Sequence, residues 1–424
     1  MTEVDLPSGS SRSPAVTRGQ IFAWTLFDFA NTAFYVVILT VGYPLYFKKV
    51  VAEHGQQSDF LWGAAFSISM LIVAIVSPIL GATADFGTGK KRFLGIFTAL
   101  CIASTAGLFF VERSMIVSGM LLLIAANIGF EAGLVFYDAF LPEIASEKSY
   151  GRVSGYGFAM GYVGSLITLI IVFPLYSAGF AESNLLNVRL SFLIAAFFFL
   201  VFAAPLFLFL PDRQRTASLK LNFVKIGLDR VRSTFRDFPR YKNVGRFLIS
   251  YFCYIDAVNT IIIFSSVFAM ETLKFTLGEI VIFFAIVQTS GIIGSALFGV
   301  LADTWGHKRT LTLSLLLWLA IVVFAYFVDT KPMFFAVGVL AGVALGSSQS
   351  TSRSLMSQIT PPGKKTEFFG FYSFFGKASA IVGPFVFGLV SSSVNQRVAI
   401  LSVGAFLLIG LLLLQRVETS PTTR

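Results

Sequence analysis

The sequence of this chain is organised around GATADFGTGKKR, residues 81–92, a short polar stretch between two long apolar segments. The stretch recurs as GVLADTWGHKR, residues 299–309, at a separation of about half the chain. In both copies an aspartate stands at the end of a predicted helix, and basic residues follow it. A repeat at this separation is typical of a duplicated helical bundle. We therefore expect two related halves, each with this loop joining its second and third helices.

The two loops are predicted to act as gates. Each aspartate is expected to pair with cations or with a helix N-terminus, where the helix dipole favours negative charge. We expect this pairing in one conformation of the protein only. The residues predicted to take part are Gly81, Asp85, Lys90, Lys91, Arg92, Gly299, Asp303, Lys308 and Arg309.

Composition places the chain in a membrane. Of its 424 residues, 56% are hydrophobic and only 13% are charged, and the mean hydropathy is +0.80. No soluble domain tolerates so much apolar surface, whereas a protein that crosses the membrane many times requires it. The net charge of +10 comes from basic residues between apolar segments. This placement indicates retention on the cytoplasmic side and no nucleic-acid partner.

The apolar segments predict an all-α membrane protein with twelve transmembrane helices of about twenty residues each. The eleventh of these spans covers residues 368–391. Most of the 32 Lys and Arg residues lie in loops on one side, which predicts that both termini are cytoplasmic. The predicted units are a disordered tail at 1–20, a six-helix bundle at 21–210, a linker at 211–245, a second six-helix bundle at 246–415 and a tail at 416–424.

The linker contains a predicted amphipathic helix. Apolar residues recur at spacings of three and four between Leu221 and Phe238, with basic residues between them. Such a helix lies on the inner membrane surface, anchored to anionic lipid. A regulatory or partner-binding role is the alternative that the sequence leaves open.

Polar residues inside the first and seventh spans repeat each other. Asp28 and Asn31 share a helix face, with Tyr35 one turn further, and Asp256 and Asn259 have the same spacing. A charge inside a span is costly, so it needs a partner or a wet cavity. The repeat therefore predicts a shared polar cavity with these five residues in the substrate-binding site.

Three other spans contribute charges. The fourth carries Glu131 and Asp138 on one face, the tenth carries Gln349 and Arg353, and the eleventh carries Lys377. Alignment of the two halves places Arg353 at the position of Asp138. Asp138 and Arg353 lie near span ends, where capping or snorkelling is the alternative to a functional role. We predict substrate binding for Gln349, Arg353 and Lys377, and proton coupling for Glu131 and Asp138.

Small residues form stripes in the fifth span, at 155–164, and in the eighth span, at 291–299. Such stripes allow two helices to approach closely, as at an interface between halves that slide. Ordinary helix packing predicts the same residues.

Several site types are not predicted. Cys101 and Cys253 lie inside apolar runs, and His54 and His307 stand apart from any cysteine or carboxylate cluster. The sequence has no phosphate-binding P-loop and no nucleophile–base pair. We therefore expect no metal, no cofactor, no ATP hydrolysis and no catalytic residues.

The loop repeat resembles the signature G-x-L-A-D-x-x-G-x-[KR] of the major facilitator superfamily. The second copy fits it, whereas the first departs at Thr83 and at Gly89. Further stretches resemble a narrower group, the vacuole-effluxer-like proteins related to the fungal autophagy-associated vacuolar amino-acid exporter. These stretches are WTLFDFANTAF (24–34), FLPEIA (140–145), GRVSGYGFAMGYVG (151–164), SQSTSRSLMSQITP (348–361) and EFFGFYSFFGKASAIVGP (367–384).

The resemblance implies two pseudo-symmetric six-helix bundles with spans 1, 4, 7 and 10 lining a central cavity. The intramembrane charges lie on those four spans and on the eleventh. The predicted protein is a multi-pass integral membrane protein, of the inner membrane in a bacterium, with lipid as its surroundings and a monomer as its expected state.

The leading functional hypothesis is a secondary transporter that exports or exchanges a small zwitterion, such as an amino acid, by rocking of the two bundles. Arg353 and Lys377 would bind the substrate carboxylate, and Asp28 or Asp256 its ammonium group. Glu131 would carry a coupling proton, because an apolar helix favours the neutral carboxyl. Two alternatives stay open: transport of a larger amphiphile (a peptide, a lysolipid or a drug-like cation), and a non-transporting membrane receptor.

Overall fold

The structure is a computed structural model that describes residues 16–53, 57–85, 89–211, 223–236, 238–379, 382–394 and 396–419. All regular secondary structure in these ranges is helical. The longer helices are α1 (Arg18–Val51), α2 (Ser58–Thr83), α3 (Lys90–Gly107), α4 (Ile116–Asp138), α5 (Tyr150–Val172), α6 (Leu185–Phe209), α7 (Phe223–Arg236), α8 (Lys242–Glu271), α9 (Leu277–Trp305), α10 (His307–Tyr326), α11 (Lys331–Ile359), α12 (Lys365–Ser379), α13 (Val382–Ser393) and α14 (Gln396–Gln415).

Within the described ranges, 11 helices are long and apolar enough to cross a membrane. They correspond to the predicted spans except the eleventh. That span holds two helices, α12 and α13, on either side of residues 380–381, which the structure does not describe. The all-helical membrane fold is confirmed, whereas the count of twelve spans and the cytoplasmic location of both termini stay predictions.

Helix α1 begins earlier than the sequence predicts and contains two widened segments. Thr17 caps it, because its hydroxyl accepts the backbone N–H of Gln20 while the Gln20 side chain accepts the N–H of Thr17. Residues Tyr35–Val41 and Phe47–Val51 are π-helical. Such turns are rare and often mark functional sites. The first one begins at Tyr35, a predicted site residue. The rest of the predicted disordered tail, residues 1–15, lies outside the described residues.

Two hydrophobic cores hold the bundle together. One core is built from residues between Trp24 and Leu210. The other is built from residues between Val244 and Val417, joined by Ala139 and Tyr162 from the first half. The two cores thus lie largely in the two halves of the chain, and the division into two six-helix bundles stays a prediction.

The halves meet along two close helix pairs, α5 with α9 and α2 with α12. A Cβ added at Gly155 would collide with the backbone carbonyl of Ser295, and one added at Gly81 would collide with that of Thr366. The small-residue stripes are therefore packing surfaces, although only part of each faces the other half. Gly164 lies against Phe29 on α1, within its own half. Sliding at these surfaces stays a prediction.

The predicted amphipathic linker helix is present as α7, Phe223–Arg236. The beginning of the predicted pattern, Leu221, lies outside the described residues. α7 is not simply laid on a membrane surface, since it packs against the end of α2. There Gly227 leaves no room for a side chain beside Ile79. We call this end of the bundle, which carries residues 81–85, 89–92 and 299–309, the gate face.

Candidate functional site

A buried charge cluster joins the two halves next to the gate face. The Arg353 guanidinium, on α11, lies 3.2 Å from Asp28 on α1 and 3.0 Å from Asp138 on α4. Arg353 is 1% exposed, and all five of its N–H donors have acceptors. Besides the two carboxylates, the acceptors are the hydroxyl and the backbone carbonyl of Ser154. The cluster therefore has no free guanidinium donor in this conformation.

Aromatic rings cover the same guanidinium. Its central carbon lies 4.0 Å from the ring centre of Phe158, 4.9 Å from Trp24 and 5.6 Å from Tyr137. The rings of Trp24 and Tyr137 stack 4.5 Å apart, and the indole N–H of Trp24 donates to the Tyr137 carbonyl. Cation–π contacts are strongest where water is excluded, as here. One cation facing two carboxylates leaves the cluster one negative charge in excess when both are ionised.

A second ion pair crosses between the halves. Lys377 Nζ, on α12, lies 2.8 Å from the carboxylate of Glu131 on α4. Their side chains are 15% and 11% exposed, more than the 2% of Arg353. Lys377 is therefore less completely buried than Arg353, whereas the carboxylates of the two sites are similarly exposed, at 11% for Glu131 and 10% and 19% for Asp28 and Asp138.

Partly exposed polar groups surround this pair. Tyr35 is 45% exposed and lies one turn beyond Asn31 on α1. The Tyr162 hydroxyl donates a 2.8 Å hydrogen bond to the Gln349 side chain. The amide nitrogen of Asn31 is buried and has no hydrogen-bond partner among the described residues. Tyr162 thus joins α5 of the first half to Gln349 on α11 of the second half.

The two copies of the D-x-x-N-T motif have different surroundings. Asp28 belongs to the Arg353 cluster, whereas Asp256 is fully buried within α8 and its backbone carbonyl accepts from the Thr260 hydroxyl at 2.8 Å. Asn259 is half-buried, in contrast to the buried Asn31. The repeat in sequence therefore does not carry over into equal contacts.

Both gate aspartates bind the N-terminus of a helix in the other half. Asp85 accepts from the Thr366 hydroxyl at 2.7 Å and from the Glu367 N–H at 2.8 Å, at the start of α12. Asp303 accepts from the N–H groups of Gly151 and Arg152 at 2.7 and 3.1 Å, at the start of α5. Helix N-termini stabilise anions, so each aspartate holds the two halves together at the gate face in this structure.

The predicted gate cations do not all pair with the gate aspartates. Lys90 contacts Glu143 at 2.5 Å and the Ala139 carbonyl. Lys91 and Lys308 instead bind backbone carbonyls at the last turn of a half: Leu210 for Lys91, and Gln415 and Val417 for Lys308. The equivalence of Lys91 and Lys308 is visible in these contacts. Arg92 and Arg309 are exposed.

Sequence reasoning missed several residues of these sites. Ser154, Trp24 and Glu367 lie in the stretches that carry the family resemblance, and Thr366 directly precedes one of them, but the sequence pattern singled out none of the four. His307, which the sequence places in a loop, is the first residue of α10; it is buried, and its Nδ1 lies 3.1 Å from the Ser354 hydroxyl. Gly306, at φ 98°, ends α9 just before it. This short turn is why no loop separates the two helices.

Comparison with known proteins agrees with this architecture. The chain is 32% identical over 412 residues to the uncharacterized MFS-type transporter YxiO of Bacillus subtilis, covering 95% of both chains. It is 24% identical to autophagy-related protein 22 of Yarrowia lipolytica, covering 77% of this chain and 69% of that protein. The structure of the human organic anion transporter MFSD10 has the same fold, with a TM-score of 0.78 at 15% identity, covering 94% of this chain and 99% of that one.

One family profile, described as vacuole effluxer Atg22 like, matches residues 62–424. Together with the two relatives, this match covers the charge clusters of α4, α11 and α12 as well as most of both gates. The chain therefore belongs to the vacuole effluxer Atg22-like family, and it is a membrane transporter of the major facilitator type.

Proposed function

We propose that this transporter moves a small zwitterionic solute, with an amino acid as the expected substrate, and that protons drive the movement. The observation that carries the proposal is the Glu131–Lys377 pair, 2.8 Å long, between the two halves and beside partly exposed polar groups. A zwitterion carries one group of each charge, as this pair does. Its carboxylate can replace Glu131 as the partner of Lys377, so that no cation is left unpaired in a poorly solvated place, and its ammonium group can pair with another carboxylate of the site.

The substrate carboxylate is assigned to Lys377. When the carboxylate takes the place of Glu131, Glu131 becomes a lone carboxylate in an apolar helix. Such a group favours its protonated form, so Glu131 binds a proton as the substrate binds Lys377. The ammonium group is assigned to Asp28 or Asp256, with Asn31, Tyr35, Asn259 and Gln349 as hydrogen-bonding groups of the same site.

Arg353 has a different role in this conformation. Because all five of its donors are engaged, it holds α1 and α4 of the first half to α11 of the second. We propose that Arg353 binds the substrate carboxylate only in a conformation in which Asp28 and Asp138 have moved away from it. Because the cluster has one negative charge in excess, we assign Asp138 as the second proton-binding group. Protonation of Asp138 then weakens its bond to Arg353, because a neutral carboxyl binds a cation less strongly than a carboxylate does.

The closed gates support alternating access. Asp85 and Asp303 seal the gate face, while Tyr35 is 45% exposed further along α1. We therefore assign access to the site in this conformation to the opposite end of the bundle. Opening of the gate face requires that both aspartates leave their helix N-termini and that the Arg353 cluster separates.

Counterflow in liposomes tests this proposal. Vesicles loaded with an unlabelled amino-acid mixture are offered labelled amino acids one at a time, with the wild type, Lys377→Gln and Glu131→Gln. Lys331→Gln is the matched control, because Lys331 pairs with Glu279 at 2.8 Å away from this site. We expect uptake by the wild type and the control. In Lys377→Gln we expect uptake to fall by about a hundredfold or more, because the substrate carboxylate then has no cationic partner in a poorly solvated site.

Glu131→Gln separates binding from coupling. We expect it to keep exchange and to lose accumulation driven by a pH gradient, because glutamine has no proton to carry. Driven accumulation by this variant would contradict the proton assignment. Absence of amino-acid uptake by correctly inserted wild-type protein would contradict the zwitterion assignment and would favour a peptide or a larger amphiphile.

A further inference from the structure

The linker helix α7 contacts both sides of the Asp85 gate. A Cβ added at its Gly227 would lie 2.8 Å from the backbone carbonyl oxygen of Ile79, near the end of α2. One turn later, Val231 packs against the core of the second half. Thr234 then donates a hydrogen bond from its hydroxyl to the carboxylate of Glu367, on α12. Between Gly227 and Thr234, α7 thus contacts both α2 of the first half and α12 of the second half.

Glu367 connects α7 to the gate itself. Its backbone N–H donates to Asp85, while its fully buried carboxylate binds the Thr234 hydroxyl and Lys364 Nζ, the latter at 3.2 Å. Lys364 also lies within hydrogen-bonding distance of the Thr234 hydroxyl. A buried carboxylate is costly unless its oxygens are satisfied. The first turn of α12, which receives Asp85, is therefore held in place by groups that include a linker residue.

We propose that α7 is a clasp that favours closure of the Asp85 gate, and that Thr234 and Glu367 are its positioning residues. When α2 and α12 separate, α7 can follow only one of them. It must then lose either the Gly227 contact with α2 or the Thr234 bond with Glu367. Loss of the Thr234 bond leaves the Glu367 carboxylate with one partner fewer, which opposes opening. The inference rests on the proposed alternating access but not on the identity of the solute.

Plain helix packing does not account for the placement of Thr234. The outward-facing positions of α7 carry exposed charges, Asp229 and Arg232, whereas Thr234 is 1% exposed and its hydroxyl is directed at the one buried carboxylate of the α12 terminus. A helix that only linked the bundles would be satisfied by an apolar side chain here. A hydroxyl donor at this position instead gives α7 a polar contact with α12, which opening breaks when α7 stays with α2.

Distances between spin labels on the two halves test the clasp. Labels are placed at Lys148 and Pro362, both exposed at the gate face, after Cys101 and Cys253 have been replaced by alanine. Thr234→Val removes the hydroxyl with little change in volume, and we expect it to raise the ratio of gate-open to gate-closed molecules about tenfold or more. Thr234→Ser restores the hydroxyl and is expected to restore the wild-type distribution.

Two control variants separate the clasp from general effects. Thr289→Val makes the same change at an exposed position of α9, and Asp229→Asn changes an exposed charge on α7 itself. Neither is expected to shift the distribution. Glu367→Gln keeps the backbone N–H for Asp85 and weakens only the side-chain contacts, so it should shift the ratio in the direction of Thr234→Val.

An unchanged distribution in both Thr234→Val and Glu367→Gln would overturn the clasp, as would a shift of equal size in Asp229→Asn. Because the distances are measured without substrate, failure of amino-acid counterflow does not affect the result. If Thr234→Val does not fold, Glu367→Gln and Thr234→Ser decide the question by the same measurement.

Discussion

The Asp85 and Asp303 gates have nearly the same sequence and are completed in different ways. At Asp85 both hydrogen-bond donors come from the first turn of α12, and the linker helix supports that turn through Thr234 and Glu367. At Asp303 two backbone N–H groups of α5 are joined by the side chain of Arg152, 2.8 Å away. One gate is therefore supported from the linker and the other by a neighbouring cation.

The different contacts around Asp85 and Asp303 show how a duplicated protein can lose its symmetry. The aspartates and the helix N-termini that receive them follow from the repeat, so the main interaction is common to both gates. The single linker can reach only one of the two gates. The other gate has a charged partner whose side chain is 48% exposed, where an ion pair contributes little.

Removal of either gate aspartate should have the largest effect. Asp85→Ala and Asp303→Ala each remove two charge-assisted hydrogen bonds at a helix N-terminus, each worth about 1.5–3 kcal/mol, and Asp303→Ala also removes the exposed ion pair with Arg152. We expect the gate-open fraction to rise by two orders of magnitude or more in spin-label distances, more so for Asp303→Ala. Asp59→Ala, at an exposed carboxylate paired with Lys48, is the control. If the gate-open fraction in both variants is the same as in the control, these bonds do not hold the gates closed.

Alanine at the close helix contacts should come next. Gly81→Ala and Gly155→Ala each place a methyl group against a backbone carbonyl of the other half, so closure would require a backbone shift that costs about 1–3 kcal/mol. Both variants should populate the gate-open state while keeping their helices. Gly63→Ala, with open space around its added Cβ, should leave the distribution unchanged. A closed gate in Gly81→Ala would contradict the closeness of α2 and α12.

Loss of the Arg152 side chain should have a smaller effect. Arg152→Gln keeps both backbone N–H donors to Asp303 and removes an exposed ion pair worth about 0.2–1 kcal/mol. The gate-open ratio should rise by no more than about fivefold, and the difference from wild type should shrink as salt is added. A shift as large as that of Asp303→Ala would mean that the cation, and not the helix N-terminus, holds this gate.

The smallest effect is expected at the two symmetry-related lysines. Lys91→Met removes one bond to a helix-end carbonyl, and Lys308→Met removes two. These bonds lie within one half, so we expect a loss of stability of about 1 kcal/mol per bond and no change in the gate ratio. Thermal unfolding in detergent measures the first quantity, and spin-label distances measure the second. A change in gate ratio would give these lysines the gating role that the sequence predicts.

Much of the fold could be predicted because its signals are local. Apolar length marks the spans, and the repeated loop marks the duplication, since both depend on residues close together in the chain. The intramembrane charges were also predicted individually, because a charge inside an apolar run is conspicuous. The linker helix was predicted from its spacing alone, although its contact with α2 was not.

The sequence by itself determined which residues carry charge inside the membrane and which loops repeat. The tertiary structure decided how these residues pair: Arg353 joins Asp28 and Asp138, Lys377 joins Glu131, and Lys91 binds a helix end in place of a gate aspartate. Pairing across halves depends on the register of helices hundreds of residues apart, as for the 325 positions between Asp28 and Arg353. No local spacing encodes such a register, because it results from packing of the whole bundle.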